Sequence, residues 1–114
     1  MRTLMKISLP VEPANKAIKD ASLGKTIESL ISELHAESAY FYAENGKRTA
    51  QLVFDLKDAS QIPEVVEPLF VGLNATVELH PVMNAAELKT GLERAKKSLE
   101  KVLVASGYDP HGGS

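Results

Sequence analysis

Ser38-Ala39-Tyr40-Phe41-Tyr42-Ala43-Glu44-Asn45-Gly46-Lys47-Arg48-Thr49-Ala50-Gln51-Leu52-Val53-Phe54-Asp55-Leu56 carries the strongest local instruction in the chain. Asn45-Gly46 separates two strand-like runs, Ser38–Glu44 and Lys47–Leu56. Asn and Gly both accept positive φ, which a type I′ turn demands at its two central positions. A two-residue hairpin then sets the register outward from the turn. Tyr42 should face Thr49, Tyr40 should face Gln51 and Ser38 should face Val53. On the opposite side Phe41 should meet Ala50, and Ala39 should meet Leu52. The second set is apolar and is expected to be the core side.

Upstream of the hairpin, Arg2–Leu9 alternates. Thr3, Met5, Ile7 and Leu9 point one way, and Leu4, Lys6 and Ser8 the other, as in a half-buried strand. Pro10 and Pro13 should stop it. Ala14, Ala17, Ile18 and Ala21 then keep helical spacing, and Leu23, Ile27, Leu30, Ile31 and Leu34 repeat it on another phase. The phase change near Ser22 and Gly24 predicts a short helix, a break, and a longer helix over about 22–34. Downstream, Asp58 or Ser60 can cap a helix whose stripe is Ile62, Val65, Val66, Leu69 and Phe70. Pro68 should kink it and Gly72 should stop it. Ala75, Val77 and Leu79 alternate with Thr76, Glu78 and His80 in a last strand before Pro81.

Strand, helix, strand, strand, helix, strand is the split βαβ repeat of an α+β, ferredoxin-like sandwich. Its four-stranded antiparallel sheet should run 4-1-3-2 with the helices on one face. A further helix follows. Asn84 and Glu87 form a capping-box pair, and Leu88, Leu92, Ala95, Leu99 and Val102 keep a 4-3-4-3 seam. The expected division is a domain over 1–83, a C-terminal helix over 84–104 packed on that domain or on a partner, and a flexible tail over 105–114.

The chain has 114 residues, 44% hydrophobic and 25% charged, which fits one small globular domain. Thirteen Lys and Arg oppose 15 Asp and Glu, for a net charge of −2, so no global positive field attracts nucleic acid. With no cysteine there is no disulfide framework, thiolate metal site or thiol nucleophile. A cytoplasmic setting is expected: the absence of cysteine suits it, and Met1–Leu9 holds no apolar run of signal-peptide length. No stretch approaches the roughly 20 apolar residues that span a bilayer.

Several stretches carry a resemblance: Pro10-Val11-Glu12-Pro13-Ala14-Asn15, Ser22-Leu23-Gly24-Lys25, Ala39-Tyr40-Phe41, Asn45-Gly46-Lys47-Arg48 and Val82-Met83. Over roughly residues 2–92 the chain resembles the dimeric α+β barrel group, ferredoxin-like proteins whose open sheet faces pair. It also resembles short bacterial proteins of unassigned function. The resemblance implies a homodimer. It does not select a reaction, since the barrel group includes cofactor-free monooxygenases, isomerases, decarboxylases and haem-degrading enzymes. The haem-degrading members look as though they need a site tryptophan, and this chain has none.

Candidate chemistry collects on the sheet face away from the helices. His80 is the candidate general acid/base, because imidazole titrates near neutrality, and Glu78 sits two residues earlier on the same strand face. Lys6, Tyr40, Tyr42 and Gln51 are the candidate ligand contacts, although Lys6 and Glu78 on neighbouring strands also read as a simple ion pair. His35, after a helix end, reads as structural. The three histidines fit no metal-ligand spacing, and neither a phosphate loop nor a Gly-x-Ser-x-Gly elbow occurs. No cofactor and no metal are therefore expected. Two functional readings follow. One is a homodimer that binds or transforms a small molecule in a sheet-face cavity without a cofactor. The other is a non-catalytic module assembling through that face. The residues leave open whether the chain is an enzyme.

Overall fold

The computed structural model describes residues 1–107. Its elements are β1 (Arg2–Leu9), α1 (Val11–Lys19), α2 (Ser22–Leu34), β2 (Ser38–Glu44), β3 (Lys47–Asp55), α3 (Gln61–Leu73), β4 (Thr76–Pro81) and α4 (Ala85–Ala105). The four strands form one antiparallel sheet in the order β2-β3-β1-β4, which reads 4-1-3-2 from the β4 edge. With its helical connections this is an α+β, ferredoxin-like arrangement. The chain divides into two compact units, residues 1–82 and the segment from Met83 onward. His111 and the end of the expected tail, 108–114, lie outside the described residues.

The hairpin forms in the expected register, with Tyr42 opposite Thr49, Tyr40 opposite Gln51 and Phe41 opposite Ala50. Asn45 at φ 53° and Gly46 at φ 73° occupy the two left-handed positions of the turn. Gly46→Val is therefore expected to cost about 1–2 kcal/mol, the penalty of a left-handed L-residue. Nothing lies within 4 Å of a Cβ built at Gly46, so the cost is conformational and not steric crowding. Urea melts of the variant should show the loss, and an unchanged midpoint would mean that the turn does not fix the register.

One sheet face and the helices of the first unit enclose the core. Met5, Ile7, Leu52, Phe54 and Leu69 are its largest fully buried side chains. Ala14 of α1 and Val65 and Leu69 of α3 belong to the same cluster, and Leu23, Leu30, Ile31 and Leu34 of α2 pack against it half-buried. On β1 every second residue is buried, as the alternation requires. The opposite face carries Leu4, Lys6, Ser8, Gln51 and Val53, all half-buried, on its two central strands.

Several expectations are corrected. Phe41, expected in the core, is 56% exposed although its cross-strand neighbour Ala50 is buried. An edge strand has only one flanking strand to shield its side chains, and α2 does not close over this one. The first helix starts at Val11, with Pro13 inside its first turn, where a missing N–H is harmless. The α1–α2 break falls at Ala21, which is left-handed at φ 62°. Helix α3 runs through Pro68 and past Gly72, and Asn74, left-handed at φ 52°, ends it. Asn tolerates that conformation, so the helix ends where the backbone reverses and not at the glycine. Neither expected cap bonds the helix from Ser60: the Asp58 carboxylate instead accepts from the Ser60 N–H and hydroxyl. This holds the Asp58 carboxyl below the usual carboxylate range, chiefly through the Ser60 hydroxyl.

In the second unit, α4 begins with the expected reciprocal box. The Asn84 side chain accepts from Glu87 N–H at 2.8 Å, and the Glu87 carboxylate accepts from Asn84 N–H at 3.0 Å. Along the helix Leu88, Leu92, Leu99 and Val102 are exposed.

Candidate functional site

The register assembles the candidate residues into a defined patch. Tyr40, Gln51, Lys6 and Glu78 are consecutive partners across β2, β3, β1 and β4, and so form one cross-strand row on the outer face. Ser38, Val53, Leu4 and His80 make the row on one side of it. Tyr42, Thr49, Ser8 and Thr76 make the row on the other. Directly opposite side chains in a sheet have Cβ atoms about 4.5–5.5 Å apart, so neighbours within each row can interact. The ends of a row are farther apart: three strand spacings of about 4.8 Å put β2 and β4 roughly 14 Å from each other. Tyr40 and Tyr42 therefore cannot touch the group that His80 touches unless a ligand spans the sheet.

His80 and Glu78 are brought together at the β4 edge, with His80 Nε2 3.9 Å from Glu78 Oε2. That is an ion-pair separation too long for a hydrogen bond. Both side chains are more than half exposed, so water reaches the pair from the outer face. Tyr42 and Gln51 also meet: Gln51 Nε2 donates to the Tyr42 hydroxyl at 2.8 Å. The phenol keeps its own proton for a further acceptor. Tyr40 is 70% exposed, a large uncovered aromatic surface beside them.

Lys6 pairs with Glu44 and not with Glu78, its directly opposite neighbour. The contact reaches from β1 past β3 to the β2 edge, and Thr49 on the intervening strand is buried. The hydrogen bond to Glu44 raises the Lys6 ammonium above the ordinary amine range; partial burial opposes this, and the charges of Glu44 and Glu78 add to it. Lys6 is consequently a fixed cation near neutral pH, suited to holding an anionic group and unsuited to taking up a proton. Around it Ser8, Glu44, Asn45, Lys47, Thr76 and Glu78 line a recess of about 190 Å³. Of the six candidate residues this recess gathers Lys6 and Glu78, and a single chain does not enclose the other four with them.

No protein-family model matches the chain, and no curated protein matches it in sequence. Among solved structures it is similar to one described as "De novo designed protein Ferredog-Diesel", at 6% identity and a TM-score of 0.43, over 71% of this chain and 85% of that one. Among the described residues no group of three or more His, Asp or Glu is placed to hold a metal ion. No helix among them is long and apolar enough to cross a membrane.

The helix side carries a further candidate site that no motif in the sequence marks. A cavity of about 350 Å³ opens there beside the hairpin, with Ile7, Leu23, Ile27, Phe41, Arg48 and Ala50 in its walls. Its only advance signal was the phase change between the first two helices, which left one end of the sheet without a continuous cover.

Proposed function

We propose that the protein is a homodimer that pairs its outer sheet faces and holds a small polar molecule between them, with no cofactor. The contiguous twelve-residue patch carries this reading, with its mixture of phenol, amide, ammonium, carboxylate and imidazole groups. Four strands at about 4.8 Å and six to eight residues at about 3.3 Å give a flat footprint of roughly 400–500 Å² per copy. Two copies then bury close to the roughly 1,000 Å² that a stable interface needs, before side-chain relief is counted. A two-fold axis lets the same patch serve both partners. It also offers an answer to the 14 Å gap, because the partner's β2 edge can approach His80 from above. In such a cavity Lys6 would hold an anionic group, Tyr42 would donate to a carbonyl, and His80 with Glu78 would move a proton.

Light scattering at micromolar concentration is expected to give twice 12.3 kDa. A mass of 12.3 kDa sinks both the dimer and any cavity that needs two chains. For the chemistry, His80→Gln should keep the fold and the dimer while abolishing turnover of a substrate found by screening. Retained turnover would remove His80 from the reaction. The exposed seam Leu88, Leu92, Leu99 and Val102 of α4 favours a second reading, in which the paired chains serve assembly alone. A dimer whose outer-face amides respond to no small molecule would support that one.

A further inference from the structure

The cavity on the helix side of the hairpin has the composition of a ligand pocket. Its volume of about 350 Å³ lies within the roughly 300–1,000 Å³ typical of small-molecule sites. Ile7, Leu23, Ile27, Phe41 and Ala50 supply apolar walls, and Arg48 is the one charged side chain among the lining residues. Phe41 is the telling wall. It shares a cross-strand row with Ala50 and Ile7, both buried, yet more than half of it is exposed. An aromatic ring on the core side of a sheet stays uncovered here because α2 leaves a space over it. The left-handed Ala21 restarts the helix just before Leu23, and Leu23 and Ile27 are only half-buried.

Arg48 lies on the same helix-facing side of β3, opposite Leu9 and two residues from Ala50. It is half-buried, and both of its acceptors are neutral: Asn15 Oδ1 at 3.0 Å from Nη2 and the Val11 carbonyl at 3.5 Å from Nη1. Those bonds fix the plane of the guanidinium without matching its charge. A guanidinium has five donors in a rigid fork suited to a carboxylate, so donors remain for a ligand. Apolar walls with one oriented cation at the edge select a molecule with an apolar body and one anionic end.

We propose that this cavity binds a small amphipathic monocarboxylate, its apolar tail against Leu23, Ile27 and Phe41 and its carboxylate on Arg48. A volume of 350 Å³ corresponds to about a dozen water volumes, which suits a chain of about ten carbons or a single-ring aryl acid. This site is within one chain and does not depend on pairing of the outer faces.

The test is an amide NMR titration with decanoate and, separately, with decanol, which has the same tail and no charge. Decanoate should bind saturably and at least about tenfold more tightly than decanol, with shifts at Ile7, Ile27, Phe41 and Ala50. In Arg48→Gln the two should bind alike, and in Leu23→Trp, which fills the space, neither should bind. Absence of saturable binding overturns the proposal, as does equal affinity of the two probes for the unaltered protein. Shifts confined to Lys6, Gln51 and Glu78, or to the α4 seam, also overturn it, since the probe would then sit elsewhere. Should either variant fail to fold, the comparison of the two probes on the unaltered chain still decides. Failure of this site leaves the mass of the protein, and hence the proposed pairing, untouched.

Discussion

Phe54→Ala is expected to lower the free energy of unfolding by about 3–5 kcal/mol, the usual cost of emptying an aromatic site in a core. Phe54 is 1% exposed and is among the largest fully buried side chains. It sits on β3 opposite Thr3, which is itself 2% exposed. Small domains have only about 5–15 kcal/mol in total, so the variant should be close to unfolded at moderate temperature. A shift of roughly 15–30 °C in melting temperature corresponds to that loss in a domain of this size. Urea denaturation followed by circular dichroism measures it. Val53→Ala, one residue away on the half-buried outer face, should cost under about 1 kcal/mol in the monomer. Equal losses at the two positions would show that the sheet does not separate a core face from an outer one.

Tyr40→Asp is expected to dissociate the proposed homodimer while leaving the monomer folded. Tyr40 is 70% exposed, so the substitution removes little from the core of a single chain. In a face-to-face pair it would be an aromatic anchor on the β2 side of the patch, and such residues cost about 2 kcal/mol or more when removed from an interface. Two-fold symmetry applies the change twice, giving about 4 kcal/mol, or roughly a thousandfold in the dissociation constant. The added carboxylates also place unpaired charge in the interface, which costs more than the lost ring alone. Light scattering over a concentration series should show a monomer for the variant where the unaltered chain is a dimer. A variant that stays dimeric with an unchanged dissociation constant would move the interface off the sheet face, and the α4 seam would be the next surface to alter.

The hairpin, the two helical phases before it and the capping box at Asn84 could all be read without a structure, because each depends on a few adjacent residues. Asn45-Gly46 decides a turn by its own φ preferences, and the turn decides which residues face each other. The alignment of Lys6 and Glu78 with that hairpin is set by how β1 meets β3 and β4, which no turn fixes, so within the row only Tyr40 opposite Gln51 could be anticipated residue by residue. The partner of Lys6 could not. Its ammonium chose Glu44 two strands away over the carboxylate directly opposite, and sheet twist and side-chain reach settle such a choice, not spacing. The end of α3 differs by one residue for a related reason: Gly72 permits a reversal, but Leu73, the next residue, packs against the core and stays helical.

Alternation along the strands determined the sheet and its core face, since a period of two admits one burial pattern. How completely each core-facing residue is covered depends on the packing of helices over the sheet, which no local pattern encodes. Phe41 has the pattern of a buried residue and the position of an exposed one, because α2 restarts at Ala21 and stands off the β2 edge. The same displacement opens the cavity beside Arg48, so the pocket exists only as a consequence of tertiary packing. Residues separated by 20 or more positions line it, and their meeting is fixed by the layering of helix on sheet and not by any run of neighbouring side chains.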